Sequence, residues 1–142
     1  MDNGKKIQEW RAEEIVKVFL LKADLKLSIE TYPTPLFDLF VIVKDNPKIK
    51  FAVEVKTTTN FQLNLRKQLE NIKIYRDADM ITIPVLIFKI DEKKETGEFD
   101  FLVIPSTKEN KLLVRNDFNF VEMTINNLKN KIDRITKWHE RK

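Results

Sequence analysis

The chain has no cysteine, one histidine and two glycines among its 142 residues, and each scarcity removes a class of chemistry. Without cysteine there is no disulfide framework and no thiolate nucleophile or metal ligand, which fits a reducing, cytoplasmic setting. The single histidine, His139, lies close to the C-terminal end, which leaves no basis for a Ser-His-Asp triad. With glycine only at Gly4 and Gly97, the Gly-rich loops that cradle nucleotide phosphates are missing. No apolar run reaches the roughly 18 residues of a membrane span, and the opening Met1-Asp2-Asn3-Gly4-Lys5-Lys6 is polar. The expectation is a protein that is neither secreted nor membrane-embedded.

A chain of this length forms one domain and buries about two thirds of the surface its unfolded form exposes. The formal net charge is +4, and the segment from Asn126 onward, with Lys129, Lys131, Arg134, Lys137, Arg141 and Lys142 against Asp133 and Glu140, holds the whole excess. Such a face could follow a phosphate backbone, or it could simply be solvated.

The stretch Pro35 to Thr57 puts acids where the pattern asks for core residues. Leu36 to Val43 is apolar except at Asp38 and reads as a strand buried on both faces. An ionised, unpaired carboxylate there costs several kcal/mol, so Asp38 must meet a donor, a cation or a metal. Phe51 to Lys56 alternates, with Phe51, Val53 and Val55 on one face and Ala52, Glu54 and Lys56 on the other. Lys44-Asp45-Asn46-Pro47-Lys48 is a turn, so the two arms pair as an antiparallel hairpin. Centring the turn on Asn46 sets Asp38 opposite Glu54, with Lys56 next to Glu54 on the same face.

Opposed like charges destabilise a sheet. At an effective dielectric of about 20, two carboxylates about 4.5 Å apart repel by roughly 4 kcal/mol, which a divalent cation more than offsets. Oxygen donors without cysteine or clustered histidine suit Mg²⁺ or Mn²⁺. Taken alone, Glu-x-Lys on a strand is usually a solvated ion pair worth little. The added Asp38 on the same face makes the constellation specific.

Asp38 followed by Glu54-Val55-Lys56, with a Glu-bearing helix upstream, resembles the PD-(D/E)xK nuclease superfamily, the metal-dependent phosphodiesterases that include restriction endonucleases and archaeal Holliday-junction resolvases. The resemblance is nearest to the small stand-alone prokaryotic domains and spans Glu13 to about Ile90. The family places a proline immediately before the Asp, whereas here Pro35 lies three residues upstream. The resemblance implies an α/β fold with a mixed sheet, a restriction-endonuclease-like αβββαβ core, here extended by a further strand and a C-terminal helix. It implies Mg²⁺ or Mn²⁺ held by Asp38, Glu54 and the Val55 carbonyl, with Glu13, or failing that Glu14, completing the site from the helix. It implies Lys56 as the catalytic lysine and Gln68, on the helix after the Glu-x-Lys strand, as a residue directed at the site or the DNA backbone.

Around that centre, Ile7 to Lys22 reads as a helix with Ala12, Ile15, Val16, Phe19 and Leu20 inward. Leu25 to Thr31 alternates as a half-buried strand, and Asn60 can cap a helix running to about Arg76, with Arg66, Lys67 and Lys73 outward. Ile83 to Ile90 is a buried strand with Pro84 at its start, Asp91 to Gly97 a charged hairpin loop, and Glu98 to Ile104 the returning strand. Residues 108–121 carry mixed signals. Ile125, Leu128, Ile132, Ile135 and Trp138 recur at helical spacing.

The expected activity is metal-dependent hydrolysis of DNA phosphodiester bonds by an endonuclease, with RNA a weaker match; the size fits cleavage of branched DNA by a two-fold homodimer and equally a part in restriction or phage defence. The alternative is an inactive nuclease-fold module that binds nucleic acid or a protein partner. A third possibility, a structural Glu54–Lys56 surface pair, would require Asp38 to be bonded to backbone and remote from Glu54.

Overall fold

The computed structural model describes residues 3–23, 26–31, 37–58, 84–103 and 119–140. In chain order these form α1 (Asn3–Lys22), β1 (Leu27–Thr31), β2 (Leu39–Val43), β3 (Lys50–Thr57), β4 (Pro84–Asp91), β5 (Thr96–Val103), β6 (Val121–Glu122) and α2 (Ile125–Glu140). The expected helix from Asn60 to Arg76, and Gln68 with it, lies outside the described residues.

The six strands make one mixed sheet in sequential order. All neighbours are antiparallel except β3 and β4, which agrees with an α/β protein built on a mixed sheet. The β2–β3 register runs Leu39↔Val53, Phe40↔Ala52, Val41↔Phe51, the alignment that a turn centred on Asn46 predicts. That turn closes with Asn46 N–H donating to the Val43 carbonyl at 3.1 Å and Ile49 N–H to the Asn46 carbonyl at 2.9 Å.

Period-two alternation sorts the strands into two faces. Leu39, Val41, Phe51, Val53, Leu86, Phe88, Ile90 and Phe99 share one face and one core with Ala12, Val16, Phe19 and Leu20 of α1 and Leu128, Ile132 and Ile135 of α2. At its centre Phe88 stacks on Phe99 with ring centroids 5.0 Å apart, and Phe19 meets both edge-on at 6.1 and 6.0 Å, geometries that aromatic quadrupoles favour. On the opposite face Ala52, Val85 and Ile87 are buried as well, so β3 and β4 are the central, doubly covered strands. β2 differs from expectation here. Leu39 and Val41 are buried, while Phe40, Ile42 and Val43 are half-buried, because β2 stands one strand nearer the sheet edge.

The β4–β5 hairpin turns through residues 92–95, with Asp91 Oδ1 accepting from Lys93 N–H at 3.1 Å and Lys94 N–H at 3.2 Å, an Asx-type turn. Glycine is required at Gly97, where a Cβ would lie 2.9 Å from the Lys89 carbonyl oxygen. Thr124 caps α2, its Oγ1 accepting from Asn127 N–H at 3.2 Å.

The basic face expected on α2 is smaller than the sequence count. Lys131 is buried, and its Nζ donates to Asp100 Oδ1 at 3.1 Å. Asp100, also buried, accepts Phe101 N–H at 2.7 Å and Asn119 N–H at 3.0 Å. Lys137 pairs with Asp133 at 3.1 Å, and the Arg134 guanidinium lies 5.9 Å from the Phe101 ring centroid. Lys131 therefore ties α2 to β5 and does not serve a solvent-facing stripe.

Deleting one partner of a buried ion pair strands the other. Lys131→Ala should lower the unfolding free energy by about 3 kcal/mol in urea titration, whereas Lys131→Met combined with Asp100→Asn should recover much of that loss.

Candidate metal and phosphodiester site

Beyond Val53 the β3 strand outruns β2. β2 begins at Leu39 opposite Val53, whereas β3 continues beside β4 through Thr57↔Ile90. Among the described residues one edge of β3 thus has no strand neighbour at the carboxyl end of the one parallel pair, the kind of position where α/β sheets hold ligands. Asp38 occupies this notch. Its N–H donates to the Val53 carbonyl at 3.1 Å, and its Oδ2 accepts Val55 N–H at 2.8 Å. A side-chain oxygen thereby takes the place of the backbone acceptor that the next rung would have supplied. In an extended strand the Val55 carbonyl projects to the same edge as its N–H, beside the Asp38 carboxyl.

Glu54 is buried, and Lys56 Nζ lies 3.6 Å from Glu54 Oε1. Burial pushes the Glu54 carboxyl up to about 8; the Asp38 charge adds to the rise, and Lys56 opposes it. Burial also raises Asp38 above the ordinary carboxylate range, against the Val55 N–H bond, the neighbouring Glu54 carboxyl and the Lys56 charge, which lower it. Two neighbouring carboxyls resist ionising together, so both are shifted toward the protonated form.

Among the other expected residues, Glu13 lies on the flank of α1. Burial raises its carboxyl, and the Asp38 charge raises it further, with Lys17 opposing; Lys17 Nζ is 3.8 Å from Glu13 Oε1. Glu14 turns further outward and pairs with Lys17 at 3.2 Å. The structure thus brings Asp38, Glu54, Val55 and Lys56 together and sets Glu13 within the field of Asp38. Gln68 cannot be placed, since it lies outside the described residues. His139 is not at the site. Its Nε2 is 2.9 Å from the Lys50 carbonyl oxygen, pinning the end of α2 to the start of β3.

Two residues were missed by sequence reasoning. Glu9 contributes its charge to Asp38, and its i, i+4 spacing from Glu13 was the available signal. Lys89 stands beside Lys56 in the β3–β4 register and opposite Glu98 of β5, and lines a cleft of about 540 Å³ together with Lys94 and the acids Asp91, Glu98 and Glu122. Its position depends on the parallel pairing, which local sequence does not encode.

Among the described residues no group of three or more His, Cys, Asp or Glu side chains forms a metal cage. The donors present are two adjacent carboxyls and a backbone carbonyl. That set fits Mg²⁺ or Mn²⁺, ions that use one or two carboxylates and fill the remaining positions with water and phosphate oxygens, and it does not fit an all-protein site.

A carboxyl whose folded pKa is raised is protonated in the fold and ionised in the unfolded chain. The stability it contributes is complete below about 4.5 and is lost as pH rises through about 8. Without divalent cations the melting temperature should therefore fall between pH 5 and about 8, and Glu54→Gln should flatten that slope and stabilise the protein at the alkaline end. A wild-type profile flat across this window would show that Glu54 is not held protonated.

The chain matches no protein-family model, and comparison with curated proteins and with solved structures gives no match either.

Proposed function

We propose that the chain is a metal-dependent nuclease of the PD-(D/E)xK kind, hydrolysing DNA phosphodiester bonds. The observation that carries this is the placing of Asp38 against Val55 N–H beside the buried Glu54 and its Lys56 neighbour, in the notch where β3 outruns β2. The order α1, three antiparallel strands, then a strand parallel to the third is compatible with the restriction-endonuclease-like core.

In this reading Asp38, Glu54 and the Val55 carbonyl would hold one divalent ion, with Glu13 able to join directly or through water. The ion supplies Lewis-acid stabilisation of the phosphate and lowers the pKa of a bound water. Lys56 directs its ammonium at the attacking water or at charge building on the phosphate oxygens. Lys89, one strand over, adds a second ammonium to the same row and holds the neighbouring phosphate of the strand being cut. Gln68 keeps the role the resemblance gives it, against the site or the backbone. Water adds to phosphorus as the bond to the leaving sugar oxygen breaks; one proton of the attacking water passes to solvent and the leaving oxygen takes up a proton from solvent, ending as a hydroxyl.

One observation favours the alternative, a binding module of nuclease fold: Asp38 already spends one carboxylate oxygen on Val55 N–H, so part of its cost is met structurally. The purely structural reading required Asp38 to be remote from Glu54 as well, whereas the two carboxyls are near enough to shift each other's proton affinity.

Two measurements separate these readings. Calorimetric titration with Mn²⁺ in buffers of different ionisation heat should show about one proton released per ion, with affinity rising roughly tenfold per pH unit up to about 8 and lost in Asp38→Asn. Incubation with linear, nicked and four-way-junction DNA in Mg²⁺ or Mn²⁺ should give cleavage that falls at least about a hundredfold in Asp38→Ala, Glu54→Gln and Lys56→Ala. Metal binding without cleavage of any substrate would leave the binding module; cleavage that survives Asp38→Ala would remove this site from the reaction.

A further inference from the structure

Helix α1 is apolar on two sides. Ala12, Val16, Phe19, Leu20 and Ala23 are buried in the core, yet Ile7, Trp10, Val18 and Leu21 are 49, 63, 47 and 66 % exposed. At 3.6 residues per turn these four, with Glu14 among them, fall within an arc of about 80°, half a turn from the core side. A surface helix needs only one apolar stripe, and a contiguous exposed one with a tryptophan marks a contact surface.

The spacing identifies the occupant. Positions 7, 10, 14, 18 and 21 are separated by three, four, four and three residues, a sequence of intervals that reads the same from either end. A stripe symmetric about Glu14 meets its own copy, run antiparallel, in register: Ile7 against Leu21 of the second copy and Trp10 against Val18. A two-fold interface demands this self-complementarity, and intervals of three and four are those of packed helix pairs. At the axis each Glu14 keeps its own counter-ion, Lys17 at 3.2 Å, which limits repulsion between the two carboxylates. An acid at the middle of the stripe also disfavours insertion into a lipid surface.

We infer that the outer face of α1 is the two-fold interface of a homodimer, with the helices antiparallel and crossing at Glu14. The helix is about 30 Å long and about 10 Å wide. Paired with its copy it buries on the order of 1,000 Å², at the lower end of specific interfaces, so the dimer is reversible and concentration-dependent. The interface stands independently of the nuclease reading.

The cysteine-free chain allows a direct test on the full-length protein. Sedimentation should show a dimer forming with concentration in the wild type and a monomer throughout in Trp10→Glu/Leu21→Glu, with circular dichroism and melting temperature unchanged because both sites are exposed. Glu14→Cys should form a disulfide-linked dimer on mild oxidation, since facing residues on the axis come within disulfide reach. Lys48→Cys, exposed on the distant hairpin, should not. A wild type monomeric up to its solubility limit, a dimer that survives Trp10→Glu/Leu21→Glu, equal cross-linking at Lys48→Cys, or sedimentation with phosphatidylglycerol vesicles in place of dimerisation would each overturn the assignment.

Discussion

The rung that Asp38 completes with Val55 holds the notch together. When β2 leaves the sheet at Leu39, Val55 N–H would be stranded at a buried edge, and an unsatisfied backbone donor there costs about as much as a lost hydrogen bond. A carboxylate oxygen supplies the missing acceptor at 2.8 Å. Solving the backbone problem with a charge creates an electrostatic one, because the same register sets Glu54 alongside. Burial and the Asp38 charge raise the proton affinity of Glu54, and the notch gathers two carboxyls and one adjacent ammonium.

The arrangement was legible to the extent that it is local. Alternation in Phe51 to Lys56 and the turn around Asn46 suffice to place Asp38 across from Glu54, because a hairpin's register follows from its loop. The same holds for α2, whose stripe at Leu128, Ile132 and Ile135 is the buried side. What escaped depends on long-range packing. Lys131 reads as one more basic residue until β5 brings Asp100 to it, and Lys89 joins the site only through a parallel pairing. Single-sided burial of β2 was equally hidden, since an apolar run looks the same whether one face or both are covered.

α1 shows why a weak periodic signal can still carry information. Its apolar residues are split between two opposed sides, so the helix looks less amphipathic than α2 although both bury a face in the same core. Charges occupy the remaining flanks. Glu9 and Glu13 lie toward Asp38, Lys17 bridges Glu13 and Glu14, and the outer stripe is left for contact. One element thus anchors the core, bears on the acids of the notch and presents a symmetric surface.

Stability alone does not account for the notch. An apolar pair of similar volume in place of two buried carboxyls is commonly neutral or stabilising by about 1–4 kcal/mol, and Val55 N–H needs only a neutral acceptor. Asp100 makes the comparison within this chain. It is buried and accepts backbone N–H groups, but a cation stands 3.1 Å away. There the charge is matched within the fold. At Asp38 and Glu54 it is matched only in part, by a lysine that is a third exposed and 3.6 Å from one of them. Local rules broken without full compensation concentrate at functional positions, and two neighbouring carboxyls with one ammonium, at an edge where a backbone acceptor is replaced by a side chain, are such a place.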